Sequence, residues 1–263
     1  MSSEGTSASR NVMKIWEGVY PSFHAATSAV VGSGFLGDVW RTRSLAAARE
    51  CLEALEAGRP IPEFRKQNHL LLPAVAATMM ATRDRLRILD FGGGLGIGYM
   101  ALVEGIPHAA TRVDFTIVDL PWTVDEGRRL LPGAVRYMDA LPGEEEFDLI
   151  YSVSALQYIE NWRMTLGALL DCRADFILLS DVFAGEIPTF VTLQNYYGSR
   201  IPHWFWNFEE LLEVCSAAGY TLVTKEFNTA ARRCALGDTL RMDHFPKTHR
   251  LWQSLHLLLR RQV

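Results

Sequence analysis

The nine residues Asp90-Phe91-Gly92-Gly93-Gly94-Leu95-Gly96-Ile97-Gly98 constrain this chain more than any other stretch. They follow Arg87-Ile88-Leu89, which reads as a short buried strand, and lead into Tyr99-Met100-Ala101-Leu102-Val103, which reads as the start of a helix. A strand, a glycine turn and a helix make a nucleotide-sized crevice, because glycine lets the backbone approach a ligand closely and tolerates positive φ. The dinucleotide pattern G-x-G-x-x-G needs glycine or alanine at its sixth position. From Gly92 that position is Ile97 and from Gly94 it is Tyr99, so the pattern fails. A phosphate loop of the Walker type needs Gly-Lys-Ser/Thr, which is absent. What remains is acidic-x-Gly-x-Gly-x-Gly, carried by Asp90, Gly92, Gly94 and Gly96. A carboxylate at a strand tip repels a pyrophosphate and attracts an ammonium or sulfonium. The competing reading is a turn that binds nothing, which the entropic cost of four glycines within five positions disfavours.

This pattern resembles the first motif of the class I S-adenosylmethionine-dependent methyltransferases. The resemblance implies S-adenosyl-L-methionine as cofactor, held at Gly92, Gly94 and Gly96, with Asp90 near its cationic amino end. A longer match is more particular. Phe-Gly-Gly-Gly-Leu-Gly, Tyr-Ser-Val-Ser-Ala-Leu-Gln-Tyr-Ile and Gln-Asn-Tyr-Tyr-Gly together look like a bacterial family of methyltransferase-like proteins, often encoded among genes for cell-surface polysaccharides. That likeness covers about residues 60–245.

Bulk properties narrow the surroundings. The chain has 263 residues, 49% hydrophobic and 21% charged, which suits one large globular domain, or one domain with an N-terminal appendage. A net charge of −4 provides no field that would draw it to nucleic acid. Cys51, Cys172, Cys215 and Cys234 are scattered, without C-x-x-C spacing or a histidine cluster, so neither a metal site nor a disulfide framework is expected and a cytoplasmic setting is. The N-terminus lacks a hydrophobic signal region, and no apolar run approaches the roughly 18 residues of a membrane span. The oligomeric state is left open, a homodimer included.

Residues 1–10 are expected to form a disordered tail, and 11–85 a mostly helical extension or lid with scattered aromatics. Within it, Ser44–Leu55 is an amphipathic helix, and a second helix is expected from Glu63 to Thr82, kinked or split by Pro73. From 86 to 263, strands and helices alternate. The strands are expected at 86–90, 115–119, 135–139, 147–152, 176–181 and 220–224, with one more around 234–242. Asn207-Phe208-Glu209-Glu210 reads as a capping box for a helix through Ala218. The fold class expected is α/β, a doubly wound, mostly parallel, seven-stranded Rossmann-like methyltransferase sheet with an N-terminal helical extension.

Ligands in such sheets sit at the carboxyl ends of the strands. Asp119, ending the second strand, suits the ribose hydroxyls. Asp139 and the Ala140 backbone suit the adenine amine, with Leu120 and Met138 against the ring. Ser152 and Ser154, after the fourth strand, stand where the family places the methionine moiety. Gln157 and Tyr158 occupy the place where small-molecule methyltransferases often carry a histidine. Each aspartate singly could be a strand-end cap; three after successive strands favour function.

The segment after Asp181 mixes aromatic and amide groups in Gln194-Asn195-Tyr196-Tyr197 and His203-Trp204-Phe205-Trp206, suited to a sugar or other small acceptor. The alternative is that these aromatics roof the core. His203 is the expected general base, Asp181 its partner or alternative, and His244 a weaker candidate. Methyl transfer to oxygen or nitrogen of a small or carbohydrate-type acceptor is the reading preferred. A Rossmann-type oxidoreductase and a non-catalytic binding protein of the same fold are the alternatives.

Overall fold

The structure is a computed structural model that describes residues 14–143, 145–196, 198–228 and 240–262. The expected tail at 1–10, Tyr197 and most of the strand expected near 234–242 therefore lie outside the described residues. The chain opens with β1 (Trp16–Tyr20), α1 (Phe23–Ala26), α2 (Asp38–Glu56), α3 (Glu63–Lys66) and α4 (Leu71–Met80). Then come β2 (Leu86–Phe91), α5 (Ile97–Gly105), α6 (Ala109–Arg112), β3 (Val113–Val118), α7 (Pro121–Leu130) and β4 (Arg136–Met138). The second half runs β5 (Leu149–Val153), α8 (Trp162–Asp171), β6 (Phe176–Val182), β7 (Ala184–Gly185), β8 (Phe190–Tyr196) and β9 (Ser199–Asn207). It closes with α9 (Phe208–Ala217), β10 (Tyr220–Phe227) and β11 (Leu255–Arg261).

Seven strands form one sheet in the order β10-β11-β6-β5-β2-β3-β4. β2 pairs in parallel with both β3 and β5, and β4 and β6 extend the parallel set on either side. β11 runs antiparallel to β6 and β10 antiparallel to β11. Strands covered on both faces must be apolar nearly throughout, and Leu86, Ile88 and Leu89 of β2 are all 0% exposed. One face carries α2, α4, α5 and α7, through residues such as Cys51, Ala76, Leu102 and Val124. The other carries α8 and α9, through Trp162, Leu166 and Leu211.

Local chemistry sets the helix ends. Pro121 begins α7, where its missing N–H costs nothing. Asn207 caps α9 by accepting from the Glu210 amide at 3.1 Å. The helix expected over 63–82 is divided at residues 67–70, ahead of Pro73, which falls in the first turn of α4 where proline is tolerated.

Two features differ from the sequence-based expectation. The mostly helical N-terminal extension also carries an unexpected strand, β1, which pairs with β8 some 170 residues later. With β9 and β7 it makes a second sheet in the order β1-β8-β9-β7. The insertion after β6 is thus an antiparallel hairpin with its own aromatic core of Trp16, Phe183, Phe190 and Phe205. The last strand of the main sheet is β11 at Leu255–Arg261, and residues 240–242 are not in a strand.

Candidate active site

The strand order reverses at β2, whose two neighbours leave in opposite directions; the carboxyl end of that strand is where an open α/β sheet makes its crevice. The glycine loop turns back over this end. Gly92 has φ 71°, and a Cβ there would overlap the Ala155 side chain, so no other residue fits. Its amide donates to Val118 O at 2.8 Å. The Gly94 amide donates to Asp119 Oδ2 at 2.9 Å, and the Leu120 amide to Asp119 Oδ1 at 2.6 Å. The Asp119 amide donates to Met138 O at 3.0 Å. The tips of β2, β3 and β4 are thereby fastened together, bringing Gly94, Asp119, Leu120 and Met138 to one edge. Exposed Asp139 and Ala140 follow directly. Burial pushes the Asp119 carboxyl up, opposed by the two amides it accepts from.

Asp90 is placed differently from the expectation. It is 0% exposed and lies beneath the glycine loop, where a Cβ on Gly93 would collide with it. Neither carboxyl oxygen has a hydrogen-bond partner among the described residues. Burial, and then the negative charge of Asp119, push this carboxyl well above the usual carboxylate range. A Cβ on Gly98 would stand 3.1 Å from Asp90 Oδ2 and 3.2 Å from His69 Nδ1. His69 Nδ1 is itself 2.8 Å from the hydroxyl of Tyr151, a fully buried residue of β5. No motif marked His69; it sits in the short turn between α3 and α4, and only the packing of that turn brings it here.

A cavity of about 550 Å³ lies over the loop. Gly92, Gly93, Gly94 and Leu95 form one wall, and Trp40, Arg43, Ser44 and Ala47 of α2 with Phe64, Arg65 and His69 form the other. Val153 and Tyr196 complete it. Arg43, Arg65 and His69 are the basic residues of its described lining, which includes no carboxylate. Trp40 meets Trp122 of α7 edge-on at 5.6 Å, and Phe35 meets Tyr158 at 4.7 Å. The N-terminal extension therefore spans the carboxyl edge of the main sheet.

The expected catalytic residues require correction. His203 is 0% exposed and boxed by the rings of Trp16, Tyr158, Phe183 and Phe205. Neither ring nitrogen has a hydrogen-bond partner among the described residues, and burial pulls its pKa down to about 3. It is a core residue of the second sheet, unable to reach an acceptor. His244 Nε2 is bonded to Trp16 O at 2.8 Å. Asp181 is at the carboxyl end of β6, but its oxygens are filled. Ser154 Oγ donates to one, while Asn228 Nδ2 at 2.9 Å and Ser254 Oγ at 2.5 Å donate to the other. It fastens strand ends together rather than facing the cavity as a base.

Ser152 Oγ likewise donates to Phe91 O at 2.9 Å, joining β5 to β2. Ser154 and Asp181 both hold left-handed backbone, φ 51° and 56°, at adjacent strand tips. Trp204 donates to Ile159 O at 3.1 Å and Trp206 packs edge-on against Trp162 at 5.5 Å, so both roof the core. Of the aromatic insertion, Tyr196 reaches the cavity.

No protein-family model matches the sequence, and no curated protein matches it either. Solved structures do match in fold. Burkholderia thailandensis 1,6-didemethyltoxoflavin-N1-methyltransferase, solved with bound 1,6-didemethyltoxoflavin and S-adenosylhomocysteine, is 17% identical with a TM-score of 0.50, covering 89% of this chain and 94% of that one. The methyltransferase-type partner of the Haloferax volcanii Trm112 methyltransferase activator is 16% identical with a TM-score of 0.52, covering 83% and 95%. At such identities the likeness is one of architecture, and together with the sheet order it establishes that the chain has the Rossmann-like fold of the class I methyltransferases.

Proposed function

We propose that the chain binds S-adenosyl-L-methionine at the glycine loop and transfers its methyl group to a small, carbohydrate-type acceptor held in the adjoining cavity, at oxygen or nitrogen. The observation that carries this reading is the docking of Asp119 on the Gly94 amide, which sets a carboxylate beside a Cβ-free loop at the crevice of this fold. The residues present fit the cofactor. Asp119 offers oxygens to ribose hydroxyls, Leu120 and Met138 offer apolar faces, and exposed Asp139 and Ala140 stand ready for a base amine. Arg43 and Arg65, the latter already paired with Glu50 at 2.8 Å, line the side of the cavity where the cofactor's carboxylate would sit. The buried carboxyl of Asp90, beneath the loop and without a hydrogen-bond partner among the described residues, is a group that a cation bound above the loop would ionise. Ser152 and Ser154 shape the strand tips.

The bound cofactor would supply an electrophilic methyl group on a sulfonium. The chain's own task is to position an acceptor in line with it, and a cavity walled by Trp40, Phe64 and Tyr196 offers the apolar faces for that. The Burkholderia protein's bound small-molecule acceptor supports an acceptor of this size. The family resemblance supports a cytoplasmic role in polysaccharide biosynthesis.

Titration calorimetry with S-adenosylmethionine, S-adenosylhomocysteine and NAD tests the reading. Binding of the two sulfur ligands without NAD is expected. Binding of NAD alone would favour the oxidoreductase alternative, and binding without transfer to any of a broad panel of sugars and alcohols would favour a non-catalytic protein.

A further inference from the structure

With His203 sealed and Asp181 filled, the reaction proposed above lacks a group to take the acceptor's proton. His69 lines the cavity beside Gly92, Gly94 and Val153. The Nδ1 edge of its ring faces inward, 2.8 Å from the Tyr151 hydroxyl and 3.2 Å from where a Cβ on Gly98 would stand. The residue is half-buried and lines the cavity, so with Nδ1 engaged inward the opposite edge of the ring, with Nε2, is the one left for a ligand there, and no hydrogen bond from Nε2 to a described residue is seen. Tyr151 is 0% exposed on a central strand, so its phenol is a fixed anchor. Ser180 Oγ is buried close to that phenol without a partner of ordinary geometry among the described residues. The Tyr151 proton would have to turn to this hydroxyl, by a small shift that brings the two within hydrogen-bond distance, when the phenol oxygen accepts from Nδ1–H.

We infer that His69 Nε2 is the proton acceptor for a hydroxyl-bearing acceptor in this cavity, with Tyr151 as its positioning residue. The inference rests on the methyltransferase reading and narrows it to oxygen as the atom methylated. In the step, a lone pair of the acceptor oxygen forms the bond to the methyl carbon. The carbon–sulfur bond breaks with its electron pair returning to sulfur, leaving a neutral thioether. The hydroxyl proton passes to Nε2, and the imidazolium formed releases it to solvent through the cavity. Burial holds the free imidazole down to about 4, so it is neutral at pH 7 and the imidazolium formed in the step is short-lived, shedding its proton through the cavity.

The requirement is a definite tautomer: Nδ1–H donating to Tyr151, with Nε2 unprotonated. Nitrogen-15 NMR of histidine-labelled protein at neutral pH, with His69→Gln identifying the signal, reads this without any acceptor. The expected result is the Nδ1–H tautomer for His69, lost in Tyr151→Phe. An Nε2–H tautomer or a charged ring in the unmodified protein would overturn the inference. On a sugar hydroxyl that the acceptor panel finds to be methylated, His69→Gln should lower kcat about 100-fold or more, with S-adenosylhomocysteine affinity unchanged. An unchanged kcat, or transfer confined to amines, would overturn it. Failure of the unmodified protein to bind either sulfur ligand would instead sink the methyltransferase reading, whatever the tautomer.

Discussion

Asp119 Oδ2 accepts the Gly94 amide at 2.9 Å, so the acid ending one strand is held on the loop that ends the next. If those oxygens also serve ribose hydroxyls, Asp119→Ala should weaken S-adenosylhomocysteine binding by about 1–3 kcal/mol, the scale of charged hydrogen bonds. Calorimetry measures this directly, and unchanged affinity would reject the ribose role.

Gly92 combines φ 71° with a position where a Cβ would overlap Ala155. Gly92→Ala should therefore lower stability by about 1–2 kcal/mol from left-handed backbone alone, with a further loss from the overlap. Adding Ala155→Gly should recover the second part and not the first. Denaturant unfolding of the single and double variants separates the two, and a fully additive double variant would contradict the contact.

His203 should make the fold acid-sensitive. Its folded pKa, about 3, is below the ordinary 6.5, so the folded state disfavours the proton. The stability from keeping it neutral is complete above 6.5 and is lost as pH falls from 6.5 toward 3, by up to about 1.4 kcal/mol per pH unit. His203→Phe should flatten that part of the pH–stability curve while leaving S-adenosylhomocysteine binding intact. A curve of unchanged slope, or lost binding, would argue against a purely structural histidine.

Asp90 runs the other way. Its folded pKa lies well above 3.8, so the folded state holds a proton that the unfolded chain releases, and stability falls as pH rises from about 3.8 through the folded value. Asp90→Asn should then gain stability over the parent increasingly across that window. A cation bound above the loop favours the ionised form. S-adenosylmethionine binding should accordingly release protons from the parent and fewer from Asp90→Asn, read as a buffer-dependent binding enthalpy in calorimetry. Equal proton release from both would remove Asp90 from the cofactor's surroundings.

Much of this was legible because local chemistry and global architecture agree. The apolar Leu86, Ile88 and Leu89, ahead of a glycine turn, suit a strand covered on both faces, which is what forms, and the failed sixth position at Ile97 argues against a dinucleotide loop from residue type alone. Asp119, Leu120 and Met138 emerge together because parallel strands end on one edge. What the sequence hid depends on distant pairing. Nothing local shows that Trp16 lies in a strand beside Gln194, and that pairing is what encloses His203. Ser152 and Asp181 sit at the right strand ends, yet their side chains join neighbouring strands, a choice that side-chain geometry makes and residue type does not. His69 carries no motif, and its role follows from a buried tyrosine 82 residues away.

The most direct test of cofactor binding at the glycine loop is a crystal structure of the protein grown with S-adenosylhomocysteine. The account predicts nucleoside density beside Gly92–Gly96, with the ribose hydroxyls on Asp119 and the amino-acid end in the cavity toward Arg43 and Arg65. A fully ordered loop with no density there at millimolar ligand, or a nucleoside bound elsewhere, would contradict it.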